Sequence, residues 1–355
     1  MSVLFSTLRL REVTFRNRVF VSPMCQYSCE QGMPNDWHFV HLGSRAVGGA
    51  ALVFTEATSV SAEGRISPAD AGIWSDTHVA GWARVTTFVA ERGAVPGIQL
   101  AHAGRKASTG VPWEGGGGLA PDAGGWQPLA PSAVRFDDGS PEPRELTGAE
   151  IGDAVSGFAA AARRALAAGF RVVELHMAHG YLCHQFLSPL SNRRTDRYGG
   201  SLENRMRFPL EVAGAVRAAW PAELPLFVRV SATDWAEGGW TVEESVEFAR
   251  RLKGAGVDLV DCSSGGLVPH ARVPVGPGYQ TPFAARIRAE AGIPTGAVGM
   301  ITEPAQAEQI VATGQADAVL LARQLLREPY WPLRAARELG ADGAWPSQYL
   351  RAKPR

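Results

Sequence analysis

The sequence predicts an α/β fold, a (β/α)8 TIM barrel with a capping insertion after the third strand. Eight short apolar runs carry this expectation. Each is near-continuous rather than alternating, as parallel strands covered on both faces require. Amphipathic stretches with helix signals separate them, and repeated strand–helix alternation points to a closed barrel before an open sheet. The chain has 355 residues, a length that one such barrel often reaches. No internal repeat or second domain is visible.

The strands are expected at Val19–Met24, Ala51–Glu56, Ala94–Leu100 and Val172–His176. The second half supplies Leu226–Val230, Leu259–Cys262, Thr295–Val298 and Ala318–Ala322. A helix at Asp76–Arg92 follows from its apolar spacing. Thr147 and Glu150 form a capping-box pattern that opens a helix to about Ala168, ended by Gly169. Thr241 and Glu244 repeat the pattern for a helix that ends near Gly254–Gly256. Further helices are expected at Ser201–Trp220, Pro282–Ala291, Glu303–Thr313 and Pro332–Leu339. The stretch from Gly104 to Thr147 breaks the alternation and is rich in Gly and Pro. It reads as an insertion, 105–147, capping the barrel mouth. Its tryptophans, Trp113 and Trp126, favour packing over a disordered loop.

Composition narrows the function classes. Lys plus Arg is 35 and Asp plus Glu is 35, so nothing in the balance calls for nucleic acid or an anionic membrane. The four cysteines, Cys25, Cys29, Cys183 and Cys262, form no C-x-x-C pair. That argues against a disulfide scaffold, an iron–sulfur cluster or a structural zinc site. The N-terminus lacks the pattern of a secretory signal, and no apolar run is long enough to span a membrane. A soluble, cytoplasmic protein is the expectation.

Barrel active sites collect at the carboxyl ends of the strands. Those ends carry Ser22 to Tyr27, Glu56-Ala57, Gln99 to His102, His176 to Tyr181, Arg229 to Ser231, Ser263 to Gly266, Gly299 and Arg323. The last two sit where barrels often bind phosphate: Gly299 permits close backbone approach and Arg323 offers a fork of donors. The three lysines, Lys106, Lys253 and Lys353, do not end strands, which argues against pyridoxal phosphate. No G-x-G-x-x-G follows a strand, so no dinucleotide domain is expected. Flavin mononucleotide (FMN) fits better, with Gln99 and Arg229 placed to contact its ring. His176 and His179 have three readings. They could jointly hold a carbonyl or phenolate oxygen. They could bind a metal with Asp234, Glu56 or His102 as third ligand, giving a metal-dependent hydrolase or lyase. One could be functional and the other structural.

Four stretches now resemble a known family. They are Ser22-Pro23-Met24-Cys25-Gln26-Tyr27; Gln99-Leu100 with His102, Gly104 and Arg105; His176 to Leu182; and Phe186 to Arg205. Together they resemble the old yellow enzymes, and Cys25 with a His–His pair resembles the thermophilic-like subclass of NADPH dehydrogenases and ene-reductases. The resemblance runs from about Leu4 to Arg351. It implies one FMN-binding barrel domain over 1–355, with residues 341–355 as a C-terminal tail. Ser22, Pro23, Met24, Cys25, Ala57, Gln99, Arg229, Gly299, Ala322 and Arg323 would line the FMN. His176 and His179 would hold the substrate oxygen, Tyr181 would donate the proton, Tyr27 would contact substrate, and Cys25 would tune the flavin. The implied reaction is ping-pong hydride transfer from NADPH or NADH to the activated C=C bond of enones and nitro compounds. It further implies a homodimer in which Arg351 enters the partner's site. No metal is implied. A non-catalytic flavin-binding barrel is the remaining alternative.

Overall fold

The computed structural model describes residues 2–354. Eight parallel strands close into a barrel: β1 (Val19–Val21), β2 (Leu52–Ser59), β3 (Val95–Ala101), β4 (Val172–Met177), β5 (Leu226–Ser231), β6 (Leu259–Ser263), β7 (Thr295–Val298) and β8 (Ala318–Leu321). Each strand pairs with its neighbours in chain order, and β8 pairs back to β1. All eight are buried almost throughout, which is why they read as apolar runs. Helices α1 (Asp36–Val47), α2 (Thr77–Glu91), α3 (Gly148–Ala167), α5 (Leu202–Ala219), α6 (Val242–Gly254), α7 (Thr281–Ala291), α8 (Pro304–Ala312) and α10 (Trp331–Glu338) follow the strands, with short α4 (Leu182–Leu187) and α9 (Arg323–Arg327). Both expected capping boxes form, Thr147 with Glu150 and Thr241 with Glu244.

Three features go beyond the sequence reading. Helix α1 had no signal because its capping box uses His38 where Glu or Gln is usual: Asn35 caps it and His38 reaches back. An antiparallel hairpin, Leu8–Leu10 with Val13–Phe15, precedes β1. It carries Phe15, fully buried, into contact with Phe20 and Phe227 inside the barrel. The hairpin thus closes the amino end and leaves the carboxyl end for chemistry. Segment 105–147 is built from short 3-10 turns and a two-residue strand pair, Leu129–Ala130 with Arg144–Glu145. Trp126 donates its indole N–H to Glu63 O (2.8 Å), whereas Trp113 is largely exposed and packs only edge-on against Tyr27.

Candidate active site

Strand register puts the polar strand ends side by side. Ala57 lies opposite Gln99 and Gln99 opposite Glu174. One row higher, His176 lies opposite Arg229, and Arg229 opposite Asp261. These side chains point into a closed barrel, so they must satisfy one another. Gln99 Nε2 donates to Glu174 Oε1 (2.7 Å). Arg229 Nε donates to Asp261 and its Nη2 donates to Ser22 Oγ (2.7 Å). Burial opposes the Arg229 charge, but Asp261 and Glu174 more than restore it.

Above this layer opens a cavity of about 590 Å³, within the range of ligand sites. Ser22, Pro23, Arg229, Gly299, Ala322 and Arg323 line it, joined by His179 and Ser263. Ala57 faces a small gap beside Tyr181 instead. Met24 packs on the core, and Cys25 stands partly exposed on the same loop. The Gln99 amide is turned toward Glu174 rather than into the cavity.

The loop after β4 supplies the other wall. His179 adopts φ 58°, a left-handed conformation. Its backbone N–H donates to Ser231 Oγ (2.9 Å) and its carbonyl accepts from Lys106 Nζ (3.0 Å). Gly180 and Gly266 let the β4 and β6 loops touch: a Cβ on Gly180 would come 2.3 Å from Gly266 O. His179 Nε2 thereby reaches Ser263 Oγ (2.7 Å), and its Nδ1 lies 3.3 Å from His176 Nε2. The Tyr181 ring stands perpendicular to His176 with centroids 4.8 Å apart. Burial pushes both imidazoles well below their usual range; the charges on Arg229 and Lys106 press both the same way, so each is neutral near pH 7. Burial also pushes the Tyr181 phenol up, so it keeps its proton.

A profile of the NADH:flavin oxidoreductase / NADH oxidase family matches residues 3–342. The chain belongs to that family. It is 52% identical over 352 residues to the NADPH dehydrogenase of Geobacillus thermodenitrificans strain NG80-2, covering 99% of this chain and 98% of that one. Its fold matches the old yellow enzyme homologue from Zymomonas mobilis with a TM-score of 0.79 at 26% identity, covering 99% of both chains. A 2-naphthoyl-CoA reductase matches with a TM-score of 0.86 at 26% identity; there the alignment covers 96% of this chain and spans about half, 52%, of that protein.

Membership of the NADH:flavin oxidoreductase family makes this an oxidoreductase that uses FMN and a nicotinamide donor. The cavity fits FMN. Pro23, Val298 and Leu320 give it apolar walls, while Arg229 at one side and Arg323 at the β7–β8 end give it cations. Gly299 has φ 124°, and a Cβ there would press within 3.0 Å of Gln280 and Tyr279. A side chain at this position would crowd that rim of the cavity.

The three residues weighed as a third metal ligand are engaged elsewhere. Asp234 pairs with His184 (2.9 Å), Glu56 pairs with His38 (3.0 Å), and His102 Nδ1 accepts from Gly104 N (3.0 Å). The only close Cys–His–Glu trio among the described residues is Cys29, His38 and Glu56, away from the His176–His179 pair. Its geometry serves the loop: Glu56 Oε2 accepts the Gln26 N–H (2.9 Å) and so fixes the chain between Cys25 and Tyr27.

Lys106 is the residue that reading only strand ends misses. From the insertion it reaches back to His179 O and Gly266 O, both at 3.0 Å, and lies 5.4 Å from the Tyr181 ring centroid. Burial lowers it to about 8, with Arg105 adding to the effect. Phe136, Tyr27 and Tyr181 share a second cavity with it, about 580 Å³, walled by the insertion.

Arg229 meets two carboxyl groups with no exposed atoms to spare, and Glu174 Oε2 and Asp261 Oδ1 have no partner. Burial raises Glu174 from 4.5 to about 8, helped by the Asp261 charge and opposed by Arg229. Folding therefore takes up a proton between about pH 4.5 and about pH 8, and stability falls as pH rises through that window. Glu174→Gln should make the denaturation midpoint less dependent on pH across it. An unchanged slope in urea titrations would assign the proton to another group.

Proposed function

We propose that this enzyme is an NADPH dehydrogenase of the ene-reductase kind, reducing the activated C=C bond of α,β-unsaturated carbonyl and nitro compounds. The observation that carries the reading is the cluster of two neutral imidazoles and a protonated tyrosine beside the FMN-sized cavity, with His179 on its wall and Tyr181 on the neighbouring cavity under the insertion. When bound, FMN supplies a hydride acceptor and, once reduced, a hydride donor. Ser22, Arg229, Gly299 and Arg323 would hold it, with Pro23, Met24, Cys25, Ala57, Gln99 and Ala322 around them. His176 and His179 would bind the substrate oxygen and stabilise the negative charge that builds there as the alkene is reduced. Tyr181 would deliver its proton to the α-carbon. Tyr27, which packs edge-on against Trp113 of the insertion, would contact the substrate. NADPH rather than NADH follows the name of the relative at 52% identity.

The whole chain would act as one FMN-binding unit, with 105–147 capping the mouth. Arg351 would act on a second subunit. The tail packs by Trp345 near Arg16, Val47 and Arg92, at the amino ends of the strands. Arg351 stands exposed on the turn Ser347–Ala352, remote from its own mouth, and Tyr349 and Leu350 leave apolar surface exposed beside it. Truncation after Pro346 should weaken a homodimer and change substrate preference together. A truncated enzyme that stays dimeric with the same preference would rule this role out.

The deciding experiment uses the purified holoenzyme without oxygen. NADPH should bleach the flavin absorbance and cyclohexenone should restore it. A flavin that NADPH does not reduce would leave a non-catalytic barrel. A colourless, chelator-sensitive hydrolase would reinstate the metal reading. Among the described residues no helix is long and apolar enough to cross a membrane.

A further inference from the structure

Ser263 ends β6 with its hydroxyl 2.7 Å from His179 Nε2 and is nearly buried. The protons on this wall can be traced from one fixed donor. The Ala178 N–H points at His176 Nδ1 (3.3 Å), so His176 carries its proton on Nε2. That N–H faces His179 Nδ1 at 3.3 Å. A nitrogen that accepts is unprotonated, so His179 carries its proton on Nε2, directed at Ser263 Oγ. In this state the pair satisfies itself, and His179 offers the mouth no donor. A neutral imidazole has one N–H. For His179 to donate to a substrate oxygen, the proton must sit on Nδ1 and Nε2 must become an acceptor.

A serine hydroxyl serves both states, because it accepts through its oxygen and donates through its proton. Its other neighbour leaves it free to turn. In the free site the hydroxyl donates to Gln280 Oε1 only at long range (3.4 Å), and that oxygen keeps a donor in Ser264 Oγ (2.7 Å) when Ser263 turns away. The Gln280 amide cannot flip to compete, since its Nε2 donates to Val298 O (2.8 Å).

We propose that Ser263 is a positioning residue that sets the tautomer of His179, accepting from Nε2 in the free site and donating to Nε2 when a substrate oxygen draws the proton to Nδ1. The inference rests on the reading of His176 and His179 as the oxygen site. The exchange balances with water: Nε2 gives up one proton and Nδ1 takes one, so both imidazoles are neutral before and after and no net charge is left on the wall.

The test is ¹⁵N NMR of histidine-labelled holoenzyme with and without p-chlorophenol, read beside the phenol's binding constant. The His179 proton should sit on Nε2 alone and on Nδ1 with phenol bound. Ser263→Ala should abolish the exchange and weaken phenol binding about tenfold, the size of one hydrogen bond. Ser263→Thr keeps the hydroxyl and should restore both, which a merely space-filling serine would not predict. A His176 resonance that moves while His179 keeps one tautomer would overturn the role of Ser263 and leave the oxygen site standing. Phenol binding that moves neither ring would overturn the oxygen site and this inference with it.

Discussion

Tyr181→Phe should slow alkene reduction by about 10²–10⁴-fold, the usual worth of a general acid, while NADPH still reduces the flavin at nearly the normal rate. The substitution removes one hydroxyl and keeps what holds the residue in place. Tyr181 starts α4, its N–H bonds to Ala178 O (3.1 Å), and its carbonyl accepts from Gln185 N (2.9 Å). Its ring packs against His176 and lies under Lys106. Phenylalanine reproduces all of this, so the loss reads out proton delivery alone. Stopped-flow traces of the two half-reactions separate the cases. Equal slowing of both would make Tyr181 a structural residue. A nitroalkene should escape most of the loss, because its nitronate can leave and take a proton from water.

Why the strands were legible and parts of the site were not is a matter of range. A parallel strand covered on both faces must be apolar along its whole length, and that property is local. The runs at Val19, Leu52, Val172 and Thr295 could therefore be read directly. The ends of strands then pointed to Arg229, His176 and Gly299 without further information. Partnership is not local. That Arg229 answers to Asp261 depends on the β5–β6 register, and that Ser263 reaches His179 depends on two glycines letting distant loops meet. Lys106 lies outside every strand end and reaches the mouth only through the path of the insertion. The α1 helix was hidden by a histidine doing the work of a capping carboxylate or amide. For Arg229, Ser263 and Lys106 the missing information was a contact between residues far apart in the chain; for α1 it was an unusual residue in a local cap.

His176→Ala and His179→Ala should each lower the rate of alkene reduction and weaken phenol binding, by about 2–4 kcal/mol if both act as oxyanion donors. The two variants differ in what else they disturb. His176 lies within β4, buried and in regular conformation, so alanine leaves a gap beside Tyr181. His179 sits at φ 58°, a conformation that histidine and asparagine adopt more readily than alanine. His179→Asn is the informative partner there, since asparagine tolerates that conformation and still offers an N–H. It should retain more activity than His179→Ala at equal or better thermal stability. The metal reading predicts a different pattern. Loss of either histidine would then release an ion and leave the flavin half-reactions at wild-type rates. The three residues weighed as a third ligand, Asp234, Glu56 and His102, are each bound to another partner. Metal content measured beside the two half-reaction rates in all three variants decides between an oxygen held by two N–H donors and a cation held by two lone pairs.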